Sequence, residues 1–238
     1  MASQHDIELI WGPVTTSGNF TLSLQVTDDK GATDIIFRRI TLIQPGDIVV
    51  VDYPVGCYLS ANIIAVFEAF DPDEDRTFEH AGIVVTGGLI GQATVVEASY
   101  DEGVREVSLE SFIDERVTAC PGTTVELLTV NQAYSVRTLA AYIATLAKGA
   151  GYSTDYLQKG TPDGDFYCSE LVWFAYQMAL DILNGFDYIN EWKAGRCFLF
   201  LDADDEGQSY LGPHCGLDEP VTPADLYYSK YTTSVATF

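Results

Sequence analysis

Three residues in this chain have the types that nucleophilic catalysis requires: Cys168, His80 and Glu97. A thiol attacks only as the thiolate, so it needs a base beside it. Imidazole takes the proton and later returns it to the leaving group. A carboxylate on the far side of the imidazole fixes its tautomer and supports its charged form. Cys168 has the setting for this chemistry. It follows the turn and cap residues Gly160-Thr161-Pro162-Asp163-Gly164-Asp165. It precedes a helical pattern from Leu171 to Leu183, with Leu171, Ala175, Met178 and Ile182 on one face and Val172, Ala179 and Leu183 beside it. Trp173, Phe174 and Tyr176 fill much of the rest, so this helix is expected to be buried nearly all round. A thiol at such a helix start faces unpaired N–H groups and the positive end of the dipole, which lower its pKa. The Cys168 N–H is there a candidate oxyanion donor. On position alone, a small buried apolar cysteine is an equal reading.

The partners come from a hairpin. His80 to Thr86 and Gln92 to Ala98 are strand patterns joined by Gly87-Gly88-Leu89-Ile90-Gly91. A loop centred between Gly88 and Leu89 sets His80 directly opposite Glu97, with Cβ atoms about 5 Å apart. A slip of one residue would put them on opposite faces. Taken singly, His80 reads as a satisfied core histidine and Glu97 as a solvent-facing strand residue; taken with Cys168 they form a constellation. His5 and His214 are weaker bases, the second because it adjoins Cys215 in a loop.

Other elements must hold these three in place. Ile48 to Tyr53 is a continuous apolar strand, expected to be central, and Thr124 to Val130 is another strand. Gly103 to Leu109 reads as a short strand and Glu110 to Glu115 as a helical turn. Tyr134 to Lys148 is a helix with Val136, Leu139, Ala140, Ile143, Leu146 and Ala147 in one stripe, ended by Gly149 and Gly151. Leu59 to Phe70 fits a short helix, and Thr222-Pro223-Ala224-Asp225-Leu226 a late cap-like turn. Near the start, Phe20 to Val26 and Ile35 to Ile43 are strands about the turn Asp28-Asp29-Lys30-Gly31. Asp28, Asp29 and Asp34 read as a solvated turn in preference to a calcium site, and the run from Asp71 to Asp75 as an acidic loop.

A length of 238 residues fits one sizeable domain with a small appendage, and 47% apolar residues argue for a globular chain. Twelve basic against 35 acidic residues give −23, which weighs against nucleic acid and anionic membrane surfaces as partners. No apolar stretch is long enough to span a membrane. The polar start offers no signal peptide, and the chain is expected to be a piece of a longer one. No internal repeat, zinc-type spacing, Walker loop or dinucleotide fingerprint occurs. Five cysteines are an odd number. Cys197 with Cys215 and Cys57 with Cys120 are the pairings considered, which would leave Cys168 free; five reduced cysteines are the alternative.

Six segments appear in order: "PGDIVVVDYP", "HAGIVV", "VVEAS", "EGVREVSLESFI", "YCSELVWFAY" and "VTPADLYYS". Together they resemble the permuted, YiiX-like branch of the NlpC-type papain-like cysteine hydrolases, in which the histidine precedes the cysteine. The resemblance covers about residues 44 to 230. It implies an α+β fold, an antiparallel sheet packed on helices, for 44–238. It implies Cys168 as nucleophile, His80 as base, Glu97 as orienting acid and no cofactor. Its substrates would be amide bonds, often in cell-wall peptides, while relatives act on lipid-derived amides or esters. The long insertion from Cys57 to Glu79 and the acidic region from Leu201 to Glu219 depart from that pattern and leave the substrate open. Tyr152, Tyr156 and Tyr167 are candidates to line the site, with a place at a domain edge an equal reading for tyrosine. Residues 1–43 resemble the last strands of an immunoglobulin-like domain of the PKD or cadherin-like kind, which implies a secreted or surface parent protein.

The leading expectation is a cysteine amidase or peptidase acting through a thioester on a peptide or small amide. A thiol acyltransferase or lipid esterase on the same triad is the alternative within enzymes. A non-catalytic surface binding module is the alternative outside them.

Overall fold

The computed structural model describes residues 14–54, 57, 78–154, 164–184, 221–229 and 231–238. The expected helix over 59–70, the acidic run 71–75, His5, Tyr156, Cys197, His214 and Cys215 lie outside them.

The chain opens with a hairpin of β1 (Gly18–Thr27) and β2 (Thr33–Leu42), paired antiparallel from Gly18↔Leu42 to Thr27↔Thr33. At its turn the Asp28 carboxylate accepts from the N–H groups of Lys30 and Ala32, a side-chain-closed turn. Then come β3 (Ile48–Asp52), β4 (Phe78–Thr86), β5 (Thr94–Ser99) and β6 (Gly103–Ser108). Helix α1 (Leu109–Ala119), β7 (Thr124–Val130) and α2 (Tyr134–Leu146) follow. Helix α3 (Cys168–Asn184), α4 (Pro223–Tyr228) and β8 (Thr232–Thr237) complete the described chain. The main sheet is antiparallel, in the order β6-β5-β4-β3-β7-β8.

Both faces of that sheet are covered, which explains the unbroken apolar run of β3. Ile48, Val50, Ala81, Ile83, Val96 and Leu128 face one core with α2 and α3 residues such as Val136, Ala140, Leu171 and Ala175. Val49, Val51, Val84, Val95, Val125 and Leu127 face the other with Leu109 and Phe112 of α1. The fold is thus α+β, an antiparallel sheet between helices, as the sequence implied.

The β4–β5 register differs from the expected one. Glu97 stands opposite Gly82, not His80, and Ile83 opposite Val96. The loop is not a symmetric turn: residues Ile90–Gln92 form a 3₁₀ turn, and Gly88 pairs through both backbone groups with Ile43. The slip is of two residues. Strand side chains alternate with period two, so His80 and Glu97 keep a common face and lie diagonally. Beside His80 the pairing with β3 steps from Val51↔His80 to Asp52↔Phe78. Glu79 is the extra residue of this bulge, which turns Phe78 into the core below α3 while His80 stays on the face of α1.

Two further expectations are corrected and a third is met. The helical turn at Glu110–Glu115 is a full helix, capped by Ser108, whose Oγ accepts from the Ser111 N–H at 3.0 Å. Leu146, Ile182 and Leu183 are exposed, not part of the core stripes. The cap-like turn at 222–226 opens α4 through a capping box between Thr222 and Asp225.

The N-terminal segment is tied to this body through a buried ion pair. Asp47 accepts from Arg137 Nη2 at 2.6 Å, the Ser17 hydroxyl at 2.5 Å and the Gln44 N–H at 2.7 Å. Gly46, at φ +85°, is required here, since a Cβ would lie 2.6 Å from the Arg137 carbonyl oxygen. Cys57 and Cys120 form a disulfide, with Cα atoms 6.0 Å apart, and Cys168 is a free thiol.

Candidate active site

The nucleophile candidate is placed by the start of α3. The Tyr167 carbonyl accepts from the Leu171 N–H at 3.1 Å, and the Glu170 carboxylate reaches back to the Tyr167 N–H at 3.2 Å. Cys168 is therefore the first residue of the helix and is 1% exposed. Its neighbours fix it from both sides. The Tyr167 hydroxyl oxygen accepts from the Val221 N–H at 2.9 Å, and the Ser169 hydroxyl donates to the Val221 carbonyl at 2.6 Å. Tyr167 is fully buried, so its part is to hold the helix start rather than to line a cleft. Tyr152 is half-buried and meets Tyr100 edge-on at 5.5 Å.

His80 hydrogen-bonds to Glu97 and interacts electrostatically with Cys168. Its Nε2 lies 2.5 Å from Glu97 Oε2, which leaves Nδ1 for the thiol. The imidazole side chain is 15% exposed, so the site has an outlet to solvent. Burial pushes the Cys168 thiol up. The His80 charge and hydrogen bond, with the N–H groups of Ala81 and Ser169, outweigh it, and the thiol stands below its ordinary value. Burial and the Arg116 charge push His80 down, but Cys168 and Glu97 carry it above its ordinary value. The two shifts have a common cause, the closeness of sulfur and imidazole, and both favour the charged forms.

Glu97 is fully buried. Its Oε1 accepts from Arg105 Nε at 3.1 Å and Nη2 at 2.8 Å; its Oε2 accepts from His80 and from Arg116 Nη2. Burial raises its pKa, yet the His80 hydrogen bond and charge, with both guanidinium charges, bring it down to about 2. The carboxylate is thus ionised at any working pH. Tyr53, just past β3, is within the field of Cys168, Glu97, Glu79 and Arg116, and burial pushes its phenol up to about 12.

The three residues singled out from sequence come together in space. Two others were not foreseen. Arg105 had a signal, since the short turn between β5 and β6 sets it directly opposite Glu97. Arg116 had none: it sits on the second half of α1, which the residue pattern does not mark as helix. A cavity of about 690 Å³ opens elsewhere, between the hairpin and the Gly88 loop, lined by Phe20, Leu22, Ile40, Leu42 and Leu89 but by none of the three. Among the described residues, no group of three or more His, Cys, Asp or Glu is placed to hold a metal ion. No described helix is long and apolar enough to cross a membrane.

Comparison with known families gives one match. The model of the permuted papain-like amidase enzymes, the YaeF/YiiX, C92 family, matches residues 43–235. No curated protein and no solved structure matches the chain. The match covers the sheet, its helices and the Cys-His-Glu cluster, and the chain therefore belongs to the permuted papain-like amidases of the YaeF/YiiX, C92 family.

Proposed function

We propose that the protein cleaves amide bonds of a peptide-type substrate through a thioester on Cys168. His80 is the general base and acid, and Glu97 orients it. The Cys168 thiolate attacks the carbonyl carbon, the C–N bond breaks, and the proton held by His80 goes to the leaving nitrogen. Neutral His80 then takes a proton from water, the water oxygen attacks the thioester carbon, and the C–S bond breaks to return the thiolate. The Cys168 N–H, at the helix start, is the oxyanion donor. The observation that carries this reading is the place of His80, hydrogen-bonded to buried Glu97 on one side and close enough to Cys168 on the other to lower its thiol. A substrate derived from the cell wall is the narrower proposal, supported by the family resemblance of the ordered segments. An extracellular or envelope location is supported by the Cys57–Cys120 bridge, which persists in oxidising compartments. The N-terminal hairpin is assigned to an immunoglobulin-like module, supported by its strand pattern.

The test is the rate of iodoacetamide labelling at Cys168 against pH, read by mass spectrometry, in wild type and His80→Ala. An inflection well below the ~8.5 of a free thiol, lost in the variant, is expected. Slow labelling that does not depend on His80 would overturn the assignment.

A further inference from the structure

Glu97 Oε2 serves two donors at once, His80 Nε2 and Arg116 Nη2. Both nitrogens are within hydrogen-bond reach of one oxygen, hence at most about 6 Å apart. Arg116 is 7% exposed, and its Nη1 donates to the Phe112 carbonyl at 2.7 Å. Its guanidinium carbon lies 3.6 Å from the centre of the Phe112 ring. The same ring is also a neighbour of His80, with ring centres 5.8 Å apart and planes 28° from parallel. The guanidinium, the benzene ring and the imidazole therefore form one packed group around the carboxylate.

Resting on the assignment of Cys168, His80 and Glu97 above, we propose that Arg116 is a positioning residue of the catalytic group. It holds Glu97 against His80 and sets a fixed positive charge beside the imidazole, so that His80 gives up its proton readily enough for the water-activating half of the cycle.

The argument is one of charge. The first half of the reaction needs His80 protonated, to supply the leaving nitrogen. The second needs it neutral, to accept a proton from water. A carboxylate alone behind the imidazole would favour the charged form and slow the second half. Arg105 does not counter this effectively. It is partly exposed, and its charge is shared with the surface carboxylates of Glu102 and Glu115. Glu97 is the carboxylate that Arg116 meets among the described residues, so its charge is spent at the site. The charged and titratable groups that bear on His80 are Cys168 from α3, Glu97 from β5, Arg116 from α1 and Arg105 from β6 through Glu97. Tyr53 beyond β3 and Glu79 on β4 complete them. Of these, only Arg116 is both buried and cationic.

The experiment extends the iodoacetamide profile to Arg116→Met and Arg116→Lys. Wild type is expected to label with a lower inflection for the thiol and an upper one for loss of the imidazolium proton. In R116M the upper inflection should move to higher pH by about one unit or more, because a like charge near the imidazole has gone. In R116K it should stay near wild type. If R116M fails to fold, Arg116→Gln removes the charge while keeping a donor for Glu97, and the same shift is expected. A profile unchanged in the folded neutral variants would overturn the proposal and leave Arg116 a structural residue. A wild-type profile without any His80-dependent inflection would instead overturn the triad itself, so the two failures are distinct.

Discussion

Replacing Glu97 by Gln should change stability in a way that depends on pH. In the folded protein its carboxyl is held at about 2, against the ordinary 4.5, and the side chain is fully buried. A group depressed in the folded state adds stability above its unfolded pKa and loses it as pH falls toward the folded one. The depression of about 2.5 pH units corresponds to about 3 kcal/mol at neutral pH. About 2 kcal/mol of it is gone by pH 3. E97Q cannot titrate, so its deficit relative to wild type should be largest at pH 7 and should shrink by about 2 kcal/mol at pH 3. A constant part will remain, because the amide leaves Arg116 buried beside a neutral group. Urea denaturation of both proteins at pH 7, 5, 4 and 3 measures the gap. A gap that is the same at every pH would refute the reasoning, for it would mean that Glu97 is not held ionised by His80 and the arginines.

Other expectations follow from single contacts. Cys168→Ala should abolish amide hydrolysis, with no thioester adduct by mass spectrometry, while circular dichroism stays that of wild type. Asp47→Ala leaves Arg137 buried without its carboxylate and should cost about 3–5 kcal/mol in chemical denaturation. Reducing the Cys57–Cys120 bridge opens a loop of sequence separation 63 and should cost up to about 4 kcal/mol, read as a drop in urea midpoint on adding reductant. Tyr167→Phe removes the acceptor of the Val221 N–H and should cost about 1–3 kcal/mol without changing the labelling profile of Cys168 by more than a small factor.

Most of the catalytic core was legible because its signals are local. The apolar run at Ile48 marks a strand covered on both faces, and the helical period after Cys168 marks α3, whose start is closed by Glu170 on the Tyr167 N–H while Asp165 accepts from the Gly151 N–H instead. The common face of His80 and Glu97 survived a wrong register because parity, not register, decides it. What escaped depends on contacts distant in sequence. Arg116 reaches Glu97 across 19 positions from a helix with a weak pattern. Strand β8, Thr232–Thr237, has four Thr or Ser among its six residues, and it exists because β7 offers an unpaired edge. The exposed Ile182 and Leu183 follow the helical period perfectly well but lie past the end of the core that the period was read to fill.

The two hydrogen bonds on the Val221 peptide unit bear on how the enzyme can change. Helix α3 is 17 residues long, about 25 Å from start to end, and the chain that leaves it at Asn184 is back beside its first turn at Val221. The first turn of α3 is thereby cross-tied to the residue that leads into α4, and Cys168 lies between the two side chains that make the tie. A substitution that shifts α4 is therefore felt at the thiol, so the two helices are constrained to change together.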